Sequence, residues 1–381
     1  MRTITILFAV LGMAVCCACS APTEEVITFQ IDPAQPSEKS FDQFYKLKEF
    51  IVLETNELSV IPELNHIIFT DDAIIVANYD HKAFYRFGRD GRFLDKVDRS
   101  GNGPGEYGVR IGAFILDETG EHNLIMNKGN TLLYYNYDRL EYVKERPWIG
   151  RMAIPASLPD GSFLAYTEFD PSPKDETGYF VQWLNSEGER IKGFIPKPDQ
   201  VVFNVGTQYL GPFVYTRNGT NYVMPYIGNR MYSFHDNDSA LVERYRFAFK
   251  GFSEIQLNQL TQKDLSSFSY VFDYYQLYLY YVGQKNMLLQ ASSGENRPGL
   301  VLIADLHGHN ITTVKTEDLE DRDNELPLSL ITPHNLSAPM VLLMPERLMN
   351  HTTTRPESLG SKLKKQLVED SNPVLLIYEE R

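Results

Sequence analysis

The segment AFYRFGRDGRFLDKV, residues 83–97, contains two stretches of alternating apolar and polar side chains joined by Asp90-Gly91. Strand side chains alternate between the two faces of a sheet, and Asp-Gly between two such stretches is typical of a tight β-hairpin. The pattern recurs four more times, at residues 131–145, 179–194, 230–245 and 299–314. The first four hairpin turns recur about every 50 residues, and the fifth follows about 70 residues after the fourth.

Two further short strands are predicted before each of several hairpins. Residues 65–70 and 73–79 precede the first hairpin, and residues 111–117 and 123–127 precede the second. A repeat of about 50 residues with four short strands is typical of a β-propeller blade. The sequence therefore predicts an all-β protein built from propeller blades.

The two ends of the chain carry complementary orphan strands. Three strands follow the fifth hairpin, at residues 328–332, 339–345 and 372–380, while a single strand at residues 49–54 precedes the first blade. An open ring of blades would leave exposed sheet edges. We therefore expect a six-bladed β-propeller over residues 41–381, in which residues 49–54 close the last blade beside residues 374–378.

Short helical insertions interrupt the strands. Residues 253–267 fill the long interval before the fifth hairpin and predict a helix. In the last blade, Leu359, Leu363 and Leu367 are four residues apart and would share one helix face.

The three cysteines of the chain, Cys16, Cys17 and Cys19, end an apolar N-terminal run that begins with Arg2. This layout resembles a bacterial lipoprotein signal, in which cleavage precedes a lipidated cysteine. We expect residues 1–18 to be the signal peptide, Cys19 the lipidated residue, and residues 19–40 a flexible tether rich in Pro, Ser, Thr and Glu. A plain signal peptide with incidental cysteines is the alternative.

Composition restricts the partners of the protein. The formal net charge is −14, and no basic stripe interrupts the acidic surface, so we expect no nucleic-acid partner. Because no cysteine follows Cys19, the mature chain has no disulfide or thiolate metal site. The protein is predicted to be a monomer, attached to the membrane only through its lipid.

Three stretches make the sequence similar to a known family: residues 87–108 (FGRDGRFLDKVDRSGNGPGEYG), 51–59 (IVLETNELS) and 371–381 (SNPVLLIYEER). Together with the N-terminal signal, they resemble the six-bladed β-propeller lipoproteins of Bacteroidota, whose repeats are similar to those of NHL propellers. The resemblance implies a cell-envelope propeller. From the signal we expect it to be anchored through Cys19 at the outer membrane, on the periplasmic or surface face. The resemblance implies no settled biochemical activity.

Three motifs that resemble ligand sites are better explained as turns or loops. The glycine-rich stretch at residues 101–105 precedes a strand rather than a helix, so it is predicted to be a turn between blades instead of a phosphate loop. His307 and His309 lie in a hairpin turn without a nameable third ligand, and the acidic run 317–325 lacks the glycine of a calcium loop. We predict no cofactor and no metal.

A cluster of tyrosines in the fifth blade is the candidate ligand site, formed by Tyr270, Tyr274, Tyr275, Tyr278, Tyr280 and Tyr281. Exposed rings could stack on sugars or anchor a protein, whereas buried rings would only pack between blades. Strand alternation places Tyr274, Tyr278 and Tyr280 on one side, with Tyr275 and Tyr281 on the other.

Two functions remain open from the sequence. The first is a non-enzymatic binding scaffold for a glycan or an envelope protein, favoured because no Gly-x-Ser-x-Gly nucleophile motif or other catalytic motif is present. The second is a metal-dependent hydrolase or lactonase with its site in the central channel, where Glu63 and Asn65 are one candidate ligand pair.

Mass spectrometry of the native N-terminus tests the lipoprotein prediction. We expect the mature chain to begin at Cys19, where a lipoprotein signal is cleaved, with acyl groups on that residue. Two or more acyl chains would anchor it stably in the membrane. An unmodified start at any other residue would contradict it.

Overall fold

The computed structural model describes residues 25–381 apart from residues 62–63, 65, 79–82, 109–113, 150–152, 168–177, 198–213, 226–227, 236–239, 253–274, 293–298, 332 and 335–336. Its main sheets form a six-bladed β-propeller, which confirms the predicted fold class.

The strands are named in chain order. They are β1 (Ile27–Ile31), β2 (Tyr45–Val52), β3 (His66–Phe69), β4 (Ala73–Asn78), β5 (Ala83–Gly88), β6 (Phe93–Asp98), β7 (Phe114–Leu116), β8 (Asn123–Lys128), β9 (Thr131–Asn136), β10 (Glu141–Pro147), β11 (Ala153–Ser157), β12 (Phe163–Thr167), β13 (Tyr179–Leu184), β14 (Arg190–Pro196), β15 (Val214–Arg217), β16 (Thr220–Val223), β17 (Arg230–His235), β18 (Ala240–Phe249), β19 (Gln276–Val282), β20 (Asn286–Ser292), β21 (Leu300–Asp305), β22 (Ile311–Lys315), β23 (Glu320–Asp321), β24 (Leu326–Pro327), β25 (Ser329–Leu330), β26 (Pro333–His334), β27 (Met340–Leu343) and β28 (Val374–Glu380).

Blades 1 to 5 are antiparallel sheets of four consecutive strands: β3–β6, β7–β10, β11–β14, β15–β18 and β19–β22. The five predicted hairpins are the third and fourth strands of these blades, which confirms the repeat. Blade 6 has the order β25-β27-β28-β2 from the inside outward. Two short helices, α1 (Pro345–Asn350) and α2 (Leu359–Lys364), lie between β27 and β28.

The core lies between the blades, because each sheet is covered on both faces. On β4, Ile74 and Val76 pack toward blade 6, whereas Ile75 faces Leu124 and Leu133 of blade 2. This sandwiching explains why the central strands are apolar on both faces.

The two ends of the chain close the ring as predicted. Strand β2 pairs antiparallel with β28, from Tyr45 opposite Glu380 to Val52 opposite Val374. The pairing extends farther toward the N-terminus than the predicted strand 49–54. A second link runs between blades 6 and 1, where β26 pairs in parallel with the inner strand β3.

Asn372 connects the closing strands through its side chain, which is 1% exposed. Its Oδ1 accepts a hydrogen bond from the Ile61 amide (2.8 Å), and its Nδ2 donates to the carbonyls of Glu54 (2.7 Å) and Ser59 (2.8 Å). One buried amide thus satisfies three backbone groups of the segment that leads from blade 6 into blade 1.

The prediction of a flexible tether over residues 19–40 is wrong in the middle of that range. Residues Ile27–Ile31 form β1, which adds in parallel to the outer strand β18 of blade 4. Phe29 and Ile31 are buried there because the segment alternates apolar and polar side chains, a strand pattern that outweighs the polar composition around it. Cys19 and the rest of residues 1–24 lie outside the described residues.

The N-terminal segment then crosses the outside of two more blades. The Ser37 amide donates to the Thr313 carbonyl on β22 of blade 5 (2.6 Å). Phe41 and Tyr45 are fully buried against blade 6, where the Phe41 and Tyr378 rings meet edge to face at 4.9 Å. We call residues 27–45 the N-terminal strap.

The acidic run 317–325 is not the predicted solvated loop. It includes the small hairpin of β23 and β24, and Asp321 is 1% exposed. The Asp321 carboxylate accepts hydrogen bonds from the Tyr378 hydroxyl (2.9 Å) and the Asn324 side chain (2.8 Å). Burial raises the pKa of Asp321 above its usual value.

The structure describes one of the two predicted helical insertions. The predicted helix at residues 253–267 lies outside the described residues. Helix α2 confirms the second prediction in part: Leu359 and Leu363 lie on the helix and pack in the core, whereas Leu367 is buried beyond its end at Lys364. The Ser358 hydroxyl, which accepts from the Ser361 amide, caps the start of α2.

Phe29→Ala tests the strap. We expect the free energy of unfolding to fall by about 3–5 kcal/mol, as for other buried phenylalanines, because the substitution empties a packed site between β1 and β18. The control is Phe50→Ala, since Phe50 is 44% exposed. Urea unfolding followed by tryptophan fluorescence measures both. Equal, small losses in the two variants would show that the strap contributes no packing.

Candidate functional site

A cavity of about 790 Å³ opens at one end of the propeller axis. Its wall is formed where the inner strands of blades 2 to 5 turn into the second strands, together with part of blade 6. The charged side chains on this wall are those of Lys48, Glu118, Arg217, Lys285, Glu379 and Glu380. The neutral polar side chains are those of Ser157, Tyr215, Thr216, Asn218, Tyr281, Gln284, Ser337 and Tyr378. We call this space the central cavity.

Arg217 is positioned by the tightest turn of the wall. It ends β15 opposite Thr220, and the two turn residues between them, Asn218 and Gly219, have φ values of 48° and 75°. Two consecutive positive φ angles define a type I′ hairpin turn, which Asn-Gly strongly favours. The sequence therefore fixes the end of β15 at the cavity.

Glu380 shapes the opposite side of the cavity. Its carboxylate accepts hydrogen bonds from the backbone amides of Gln284 (2.6 Å), Lys285 (3.2 Å) and Asn286 (2.9 Å), in the turn between β19 and β20. A Cβ atom at Gly283 would collide with this carboxylate, so the glycine permits the close approach.

Blades 2 and 3 contribute the third side of the wall. The Glu118 amide donates to the Ser157 hydroxyl (3.2 Å), which joins the two blades at the rim. Partial burial and the neighbouring Asp117 raise the pKa of the Glu118 carboxyl above its usual value.

Aromatic rings support the wall between blades 4, 5 and 6. Tyr215 and Tyr281 meet edge to face at 6.0 Å, and Tyr45 lies 6.5 Å from Tyr281 behind them. Burial raises the pKa of Tyr281 to about 12, while the Arg217 charge acts in the opposite direction. Burial likewise raises the pKa of Tyr215, and the Arg217 charge again acts in the opposite direction.

The cationic side chains of the wall differ in whether they have hydrogen-bonding or ionic partners. Lys285 donates through Nζ to the Arg381 carbonyl oxygen. Within the part of the chain that the structure describes, no hydrogen bond or ion pair is formed by the side chain of Lys48 or Arg217. These two cations therefore face the cavity with their charge available.

The predicted tyrosine site is mostly core. Tyr275, Tyr278, Tyr280 and Tyr281 are 2–8% exposed, while Tyr270 and Tyr274 lie outside the described residues. Rings this buried have no free face for stacking. Among these four, Tyr281 alone contributes to the cavity wall.

The predicted alternation of these tyrosines is wrong at one position. Tyr275 packs in a different cluster from Tyr278 and Tyr280, as expected, but Tyr281 joins the latter two. The reason is a register shift between Leu279 and Tyr281, a bulge that turns the end of β19 toward the cavity.

The other predicted motifs are placed as follows. The glycine-rich stretch forms a turn between blades 1 and 2, in which Gly101 and Gly108 exchange backbone hydrogen bonds. His307 and His309 are exposed in their hairpin turn. Glu63 and Asn65 are outside the described residues, and within those residues no three His, Cys, Asp or Glu side chains converge as a metal site would require.

A family model described as a domain of unknown function, DUF4934, matches residues 25–379, so the chain belongs to this family. The start of the match at residue 25 agrees with a folded unit that includes β1. The predicted NHL-like repeat and lipid anchor stay predictions.

Two solved structures from Bacteroides share the fold. A protein named as exported (BF0058) from Bacteroides fragilis NCTC 9343 superimposes with a TM-score of 0.74 at 16% identity, covering 94% of this chain and 100% of that one. A DUF4221 family member from Bacteroides vulgatus ATCC 8482 has a TM-score of 0.51 at 10% identity, covering 88% and 98%. No curated protein matches this chain. Among the described residues, no helix is long and apolar enough to cross a membrane.

Proposed function

We propose that this protein is a lipid-anchored binding protein of the cell envelope that holds a saccharide in the central cavity without chemically changing it. The observation that carries the proposal is the cavity wall itself. Its volume of about 790 Å³ falls in the range of roughly 300–1,000 Å³ that is usual for small-ligand sites.

The chemistry of the wall favours a sugar over an apolar ligand. Hydroxyl and amide side chains from separate blades, including Ser157, Asn218 and Gln284, converge on one space where they can exchange hydrogen bonds with ligand hydroxyls. These residues belong to turns held by a rigid sheet, an arrangement in which binding residues are commonly found.

The location rests on two independent supports. The N-terminal sequence through Cys19 resembles a lipoprotein signal, and a structural neighbour is named as an exported protein. We place the protein at the outer membrane, with the strap connecting its anchor to blade 4.

The competing hydrolase lacks a supporting observation in the described residues. A lactonase of the predicted type needs several convergent oxygen ligands, whereas Glu380 is occupied by three backbone amides and Glu118 stands on the other side of the cavity. We therefore do not propose a reaction.

An oligosaccharide array probed with the full-length protein tests the proposal. We expect bound glycans to be released when Gln284→Trp fills the cavity mouth, with a loss of tenfold or more in affinity. Gln366→Trp is the matched control, because Gln366 is exposed on the C-terminal side of α2, and it should bind like the natural protein.

Three results would contradict the proposal: no glycan bound, binding unaffected by Gln284→Trp, or cleavage of the bound glycan. Capture of an envelope protein that Gln284→Trp leaves unchanged would favour a protein scaffold instead. Thermal melts of both variants establish that they are folded.

A further inference from the structure

We infer that the saccharide held in the central cavity is acidic, with its carboxylate bound by Arg217 and supported by Lys48. This inference rests on the proposed function and names the class of ligand. It rests on which charged side chains around the cavity already have hydrogen-bonding or ionic partners and which do not.

Two of the three carboxylates of the wall are engaged by other groups of the protein. Glu380 accepts three backbone hydrogen bonds, and Glu379 lies 3.9 Å from Lys46 in an exposed ion pair. Glu118 remains at the rim, where its environment favours the protonated form more than in water. Glu379 and Glu380 therefore offer less to a cationic ligand than unpaired carboxylates would.

The positive side chains show the opposite pattern. Lys285 is engaged with the Arg381 carbonyl, but neither Arg217 nor Lys48 has a hydrogen-bonding or ionic partner in the described residues. The three cations of the wall balance its three carboxylates, so the wall is formally neutral in a chain whose net charge is −14. A wall that is less negative than the rest of the protein, with two unpaired cations on it, repels an anion less than the remaining surface does.

Arg217 has the geometry of an anchor. Its backbone is fixed by the Asn218-Gly219 turn, and its side chain is half-buried beside Tyr215 and Tyr281. A guanidinium offers two parallel N–H groups to a carboxylate, and reduced water contact strengthens the pair relative to an exposed one. Lys48, which is exposed, would add a positive charge but not a second pair of parallel N–H donors.

The neighbouring groups fit the rest of a sugar acid. The hydroxyls of Thr216 and Ser157 and the amide of Asn218 lie on the same wall as the guanidinium, so hydroxyls around the ring of a uronate would have partners of both polarities. A simple inorganic anion would leave most of these groups without a ligand contact.

Isothermal titration with pairs of oligosaccharides tests the inference. Each uronate-containing or sialylated oligosaccharide is compared with its carboxyl-reduced partner, which has the same shape without the charge. We expect the natural protein to bind at least one acidic member tenfold or more tightly than its reduced partner, with the difference shrinking as salt is raised.

Substitutions separate the role of Arg217 from general packing. Arg217→Gln should abolish the preference for the acidic member while leaving affinity for the reduced partner within about twofold, and Arg217→Lys should restore part of it. Arg139→Gln is the control, since Arg139 is exposed in the outer turn of blade 2.

The outcomes distinguish this inference from the proposed function. Equal binding of acidic and reduced partners, blocked by Gln284→Trp, would overturn the acidic ligand and leave the saccharide site standing. Equal loss of both partners in Arg217→Gln would show that Arg217 only supports the wall. Absence of all saccharide binding would overturn both.

Discussion

The antiparallel pairing of Tyr45–Val52 with Val374–Glu380 is the interaction on which the rest of the structure depends. A ring of blades has no free edge only when its last blade meets its first, and these two strands come from opposite ends of the chain. They also complete the core between blades 6 and 1, where Ile51 and Leu375 pack with Ile67. Blades 6 and 1 therefore gain their shared core from one long-range contact.

The same closure builds the candidate site. The C-terminal end of β28 carries Glu380, whose carboxylate holds the β19–β20 turn, and Tyr378, which bonds to the buried Asp321. Because the pairing of β28 with β27 ends at Ile377, the last residues of β28 extend past β27 to the cavity wall. Stability and ligand binding consequently share one strand, and disturbance of the closure should reach the cavity wall.

The N-terminal strap adds a second constraint outside the ring. It begins as a fifth strand on blade 4, contacts blade 5 through Ser37 and ends in the closing strand β2. Three neighbouring blades are thus connected by a single short stretch of chain. An anchored N-terminus would transmit any pull on the tether first to β1, rather than directly to the closing strand.

Local pattern made most of the fold predictable. Period-two alternation around turns such as Asp90-Gly91 predicted all five hairpins, and the unpaired strands at the two ends predicted the closure. The strap was missed because its parallel pairing with β18 leaves no turn signal, and the polar residues around Phe29 indicate a linker. Asp321 was missed for a similar reason, since its partner Tyr378 is distant in sequence.

The candidate site was harder to predict than the fold. Asn218-Gly219 could have marked the Arg217 turn from sequence, since Asn-Gly between two predicted strands is a strong hairpin signal. What sequence could not provide is the meeting of Arg217, Gln284 and Glu380, which come from three different blades. The many tyrosines in one short segment predicted a ligand site, but in a blade covered on both faces such rings pack in the core. Tyr281 faces the cavity because of the bulge between Leu279 and Tyr281.

Hydrogen exchange in the natural protein and in Asn372→Ala tests the central claim most directly. If closure is one cooperative unit, loss of the Asn372 side chain will lower the amide protection of Tyr45–Val52 and Val374–Glu380 equally. The turn at Gln284 and Asn286, held by Glu380, will lose protection with them. Opening of Tyr45–Val52 alone, with Val374–Glu380 and the cavity turn still protected, would contradict the account.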